Sequence, residues 1–153
     1  READSNIFLR TSVLVGYPGE TDRDFGELLD FLEWARFDRL GVFRYSDEEG
    51  TKAYGQEPRG SRATSYKRWR KVMALGRRIS RQRNRELIGK TLDVLVEGPA
   101  DDQGYVLVGR HMGQAPEIDG VTYIVSSNAR VGDIIKAKVV KAEDFDLVVE
   151  PIV

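Results

Sequence analysis

The sequence predicts two architectures in series, an α/β segment with parallel strands and then a small all-β barrel, joined by a basic helix. Three observations lead there. Within residues 6–45 the hydrophobic periodicity switches from strand to helix and back to strand. Residues 61–85 carry 10 Lys and Arg and no Asp or Glu, against 8 basic and 13 acidic residues before them and 6 basic and 12 acidic after them. From Gly89 onward, short β-rich runs alternate with Gly, Asp, Asn and Pro.

The elements follow in order. Asn6 to Val15 alternates weakly and ends in the apolar Val13-Leu14-Val15, which suits a strand covered on both faces, as in a parallel sheet. Gly16-Tyr17-Pro18-Gly19 breaks it. Thr21 with Asp24 three residues on has the form of a capping box, and Phe25, Leu28, Leu29, Leu32 and Ala35 follow at helical spacing, so a helix of about four turns should run to Arg36. Leu40 to Tyr45 reads as a second buried strand, which makes strand, helix and strand a right-handed crossover with parallel strands. Residues 47–51 and 56–60 are loop by composition. Ser61 to about Leu87 reads as a surface helix, with Tyr66, Trp69, Val72, Met73, Gly76 and Ile79 on its packing side and cations elsewhere. The runs 92–97, 105–110, 121–125, 134–140 and 145–149 predict a five-stranded antiparallel barrel.

Composition bounds the chemistry. The 153 residues are 41% hydrophobic and 32% charged, as in a soluble globular chain. No apolar run is long enough to span a bilayer, and the first residues lack the features of a signal peptide, so a cytoplasmic location is expected. With no cysteine and one histidine, the chain has no disulfide, no thiolate nucleophile and no Cys/His metal site, and no catalytic or metal-ligating set is predicted.

A single crossover and one helix cannot cover both faces of their own parallel sheet. The first half is therefore expected to be part of a larger α/β fold whose earlier strands lie upstream. In α/β barrels the loops after the carboxyl ends of the strands form the active site, and residues 16–21 and 46–51 are such loops. Gly16 removes the Cβ that would block a close ligand, and the helix start at Thr21 offers unpaired amides. The segment lacks the Gly-Lys-Ser/Thr ending of a phosphate loop, and a purely structural Pro-Gly turn remains the alternative. Asp47-Glu48-Glu49 is either a solvated acidic loop or an acidic rim for a basic substrate. His111 reads as an ordinary barrel or loop residue, Asp119-Gly120 as a hairpin turn, and Trp69 as packing.

Taken together, L-R-T-S-V-L-V-G-Y-P-G-E-T, D-F-x-E-L-L-D-F, F-D-R-L-G-V-F-R-Y-S-D-E-E-G-T and the later G-R, A-P-E-I-D-G and G-D resemble the radical S-adenosylmethionine methylthiotransferases. The resemblance covers nearly the whole chain, in order. It is closer to the branch that methylthiolates an aspartate of a basic small-subunit ribosomal protein than to the tRNA-modifying branch. The latter usually has Asp where Ser12 stands and Tyr-Ser-x-Arg where this chain has Tyr45-Ser46-Asp47-Glu48.

The resemblance implies a partial radical-enzyme (β/α) barrel segment over residues 1–60, a basic linking helix over 61–87 and an OB-like TRAM barrel over 88–153. It implies S-adenosylmethionine and two four-iron four-sulfur clusters as cofactors. Val13, Val15 and Gly16 would form the apolar ledge beside the adenine, Arg10 an anion partner, and Asp47, Glu48 and Glu49 the substrate rim. The cluster cysteines are missing from this chain and are expected upstream, so the chain alone should be inactive. The expected partner is a basic ribosomal protein. The 61–85 cations would meet ribosomal RNA or acidic surface of their own protein. The alternatives are a tRNA-modifying relative and a non-enzymatic nucleic-acid-binding barrel. The excess of acid from residue 86 onward opposes a polyanion partner for the barrel.

Overall fold

A computed structural model describes residues 7–58, 60–101 and 104–152, so Asn6, where the first strand is expected to begin, lies outside the described residues. The chain divides into two compact units between Ile79 and Ser80. The first holds β1 (Arg10–Val15), α1 (Asp22–Ala35), β2 (Arg39–Arg44) and most of α2 (Arg62–Arg85). The division falls inside α2.

β1 and β2 are parallel, as the crossover pattern predicts, in a register that places Val13 beside Val42 and Leu14 beside Phe43. Side chains alternate across the pair. Val13, Val15, Leu40 and Val42 join a core with Phe25, Leu28, Leu29 and Leu32 of α1 and Trp69, Val72, Leu75 and Ile79 of α2. The other face is open. Leu14 is 48% exposed and Phe43 60%, so the expectation of a strand covered on both faces is not met among the described residues. The apolar residues on that side have no covering layer within this unit, which is what too few helices for the sheet would leave.

The capping box of α1 forms as its sequence predicts. Thr21 Oγ1 accepts from the Asp24 amide at 3.2 Å, and the Asp24 carboxylate accepts from the Thr21 amide at 2.9 Å. Those bonds, the Thr21 backbone N–H first and its hydroxyl second, hold the Asp24 carboxyl below its ordinary pKa. A carboxyl with a lowered folded-state pKa contributes stability above its unfolded pKa and loses it as the pH falls through the lowered value. Fraying at the start of α1 is therefore expected to be greater at pH 2 than at pH 7, and Thr21→Ala, which removes the acceptor of the Asp24 amide whatever the state of the carboxyl, should cost about 1 kcal/mol at pH 7 and retain a cost at pH 2. Amide exchange at residues 22–25 across that range checks both. At its other end α1 stops at Arg36, whose left-handed backbone (φ 50°) returns its N–H to the Leu32 carbonyl.

α2 departs from its expected packing side. Val72, Leu75 and Ile79 are buried, whereas Tyr66 and Met73 are exposed, and Arg68 is among the buried residues. Gly76 allows the close approach to β2, since a Cβ there would sit 3.1 Å from Leu40 Cδ2. Trp69 packs as expected, its indole N–H donating to the Val42 carbonyl at 3.0 Å.

The second unit is a closed five-stranded barrel, in the order β3 (Thr91–Pro99), β4 (Leu107–His111), β5 (Thr122–Ile124), β7 (Leu147–Pro151) and β6 (Ile134–Ala142). The expected strand count is met. The expected all-antiparallel pairing is not, because β5 and β7 run parallel, with Thr122 beside Leu147 and Ile124 beside Val149. Bulges between Val96 and Gly98 and between Val139 and Lys141 bend β3 and β6 as closure requires. Val94, Val96, Ile124, Ala137, Val139, Leu147 and Val149 fill the interior.

Asp119-Gly120 is a turn but not a two-residue hairpin. The Asp119 carboxylate accepts from the Ala115 amide at 2.7 Å inside a longer loop. Gly120 lies so near the β6–β7 loop that a Cβ would fall 2.4 Å from the Phe145 carbonyl oxygen. His111 closes β4 from inside, its Nδ1 accepting from the Gly113 amide at 3.1 Å. No helix among the described residues is long and apolar enough to cross a membrane.

Candidate functional site

Both strands of the first unit end in loops at the same edge of the sheet, and a cavity of about 570 Å³ opens there. It is lined by Gly16 from the first loop, by Arg44, Tyr45 and Asp47 from the end of β2, and by Arg62 and Ser65 from the start of α2.

The first loop is a tight turn with an ion-pair anchor. The Glu20 amide donates to the Tyr17 carbonyl at 3.0 Å, and Gly19, in the positive-φ position a turn of this kind reserves for glycine, donates to Pro58 at 2.8 Å. The Glu20 carboxylate folds back to accept from the Gly16 amide at 2.5 Å. The same oxygen accepts from Arg68 Nη1 at 2.7 Å, while Nη2 donates to Asp22 at 2.8 Å. Burial works to lower the Arg68 pKa, but the bonds to Asp22 and Glu20 prevail and raise it. Gly16 itself is required by packing: its φ is +81°, and a Cβ would lie 2.6 Å from Ser65 Cβ.

The second loop is organised by Tyr45. Its hydroxyl donates toward Asp47 Oδ1 and the Ala53 carbonyl, 3.0 Å from each, and its ring meets Tyr17 edge-on at 5.5 Å. The Gly55 amide donates to Asp47 at 3.3 Å. Arg44 lies over the Tyr66 ring at 5.7 Å.

Of the residues singled out in the sequence, Gly16 and Asp47 meet at this cavity. Glu48 and Glu49 are exposed in the loop beyond it, Glu49 accepting from the Tyr54 hydroxyl at 3.4 Å. Val13 and Val15 face the other way. Val15 is fully buried in the helix-covered core and Val13 packs against that core; the exposed apolar residue of the strand is Leu14. Arg10 shares the open side of β1 with Ser12 and Leu14 but stands at the opposite end of the strand from the cavity.

Arg44 and Arg62 were not legible as site residues. The only available signal was a cation at each junction between a loop and a regular element. Two arginines and one aspartate among the lining residues suit an anionic or zwitterionic group. Among the described residues no cluster of His, Cys, Asp or Glu could hold a metal ion.

Residues 88–152 match the TRAM domain family. Over 97% of its length the chain is 51% identical to the ribosomal protein uS12 methylthiotransferase RimO of Myxococcus xanthus, covering 31% of that protein. Proteins of the same name from Sorangium cellulosum and Geobacter sulfurreducens are 48% and 47% identical over 98% of the chain, which covers 31% and 34% of them. The chain thus spans about a third of the length of these relatives. By sequence it belongs to the methylthiotransferase family that includes the RimO proteins, as a segment that carries a TRAM domain over residues 88–152.

Proposed function

We propose that the chain is part of a radical S-adenosylmethionine enzyme that methylthiolates an aspartate of ribosomal protein uS12. In this reading β1, α1 and β2 belong to its catalytic barrel, and the TRAM barrel meets the substrate. The observation that carries the reading is 51% identity to a uS12 methylthiotransferase across 97% of the chain.

The residues present do not fit an iron–sulfur cluster. There is no cysteine in the sequence, so no step of cluster chemistry is assigned to this chain, and alone it is inactive. They do fit one wall of a nucleoside site. Leu14 and Phe43 are adjacent and exposed on the open face, and Gly41 beside them carries no side chain that would block a planar ring. Arg10, on the same side, would meet an anionic group. S-adenosylmethionine, when bound, supplies the radical and the methyl group. The contribution of this wall is to hold its apolar part and keep water from it.

Substrate contact falls to charge. The 12 acidic residues against 6 basic from residue 86 onward, with Asp47, Glu48 and Glu49 in the exposed loop, favour encounter with a basic protein and oppose RNA at the barrel. Mass spectrometry of uS12 after reaction with the full-length enzyme tests the reading. Leu14→Asp should weaken S-adenosylmethionine binding about tenfold, a difference near 1.4 kcal/mol. Lysine at Glu48 and Glu49 should lower turnover on uS12, most at low salt, where screening is weak. The 153-residue chain alone should transfer nothing. Unmodified uS12 beside modified tRNA would establish the tRNA-modifying alternative.

A further inference from the structure

The first unit neutralises only part of the charge on α2. Arg68 is paired with Glu20 and Asp22, and Arg78 with Glu33. Beside these pairs a second cavity, of about 450 Å³, opens between α1 and the outward side of α2. Its lining includes Phe25, the cations Lys67, Arg68, Arg70 and Lys71, and one carboxylate, Asp22, which Arg68 already holds.

Arg68 distinguishes this cavity from a merely charged surface. Its side chain is 8% exposed, its two terminal nitrogens are bound to carboxylates, and its Nε is buried with no hydrogen-bond acceptor. A buried donor left without an acceptor is unfavourable until an oxygen reaches it. The first turn of α1, which begins at Asp22, adds the positive end of a helix dipole to the same cavity.

We propose that this cavity binds a phosphate of an RNA backbone. Lys67, Arg70 and Lys71 lie along about 6 Å of helix axis, so flexible cations can take neighbouring phosphates of one strand without regard to base sequence. An acidic peptide would also need partners for its own amides. The middle of α2 has none to give, because its backbone groups are bonded within the helix. The inference concerns α2 and does not rest on methylthiolation of uS12.

Fluorescence anisotropy of the 153-residue chain with a labelled single-stranded RNA, titrated at several salt concentrations, tests it. Replacing Lys67, Arg70 and Lys71 together by glutamine should weaken binding at least about tenfold at low salt and flatten the slope of log affinity against log salt by about 2. Glutamine at the exposed Lys52 and Lys90 should leave both within about twofold, with circular dichroism confirming that each variant is folded. Inorganic phosphate should compete with the RNA. Absence of RNA binding, equal loss in the two variants, or capture of an acidic peptide in place of RNA would each overturn the proposal and leave the methylthiotransferase reading standing.

Discussion

Methionine at Arg68 is expected to destabilise the first unit by about 3–5 kcal/mol, because it removes one partner of a buried ion pair and leaves the other charge behind. The Glu20 side chain is 11% exposed, and its carboxylate would retain only the Gly16 amide. The loop from Gly16 to Thr21 would then lose its anchor to α2. Both tryptophans, Trp34 and Trp69, lie in this unit, so fluorescence during urea unfolding reports on it selectively. Adding Glu20→Gln should recover part of the loss, since the stranded charge is removed with its partner. A change in stability below about 1 kcal/mol would show that water compensates Glu20 and that the pair is not the anchor.

Gly109→Ala should be nearly as damaging in the barrel, at roughly 3 kcal/mol, for a steric reason. A Cβ at Gly109 would lie 2.2 Å from the Leu95 carbonyl oxygen on the neighbouring strand. That neighbour is backbone and cannot rotate aside, so β3 and β4 must separate next to the Val96/Gly98 bulge. Gly132→Ala is the comparison. Its φ is +96° but nothing stands within 4 Å, so only conformational strain of about 1 kcal/mol is expected. Thermal unfolding followed by amide dispersion of residues 91–151 separates the two, and similar losses would contradict the steric account.

Local signals were legible and long-range ones were not. Thr21 and Asp24 announced the start of α1 because a capping box is written in four residues. The five barrel strands were legible from short β-runs between turn residues, but their order was not. The β5–β7 pair joins Thr122 to Leu147, and strand periodicity says nothing about which strand lies beside which. Arg68 was misread because a cation in a run of cations ordinarily faces water. Its burial follows from Glu20, 48 residues away, and that carboxylate was taken only as part of a turn.

At the candidate site, Gly16 and Asp47 were found as loop residues after strand ends, a consequence of parallel topology alone. Apolarity alone does not say which side of β1 is open. Val13 and Val15 looked like a ledge because they are apolar, but strand alternation makes their face the one that packs on helices and leaves Leu14 outside.

The insertion of β7 between β5 and β6 also sets an order of events during synthesis. A growing chain can pair β3 with β4 and β6 as they emerge, but β5 and β6 each keep an open edge until residues 147–151 leave the ribosome. Until then the ring cannot close, and loss of this strand would open the barrel rather than shorten it. The waiting β6 edge carries Lys136, Lys138 and Lys141, charges that discourage a second chain from adding its own strand there before β7 arrives.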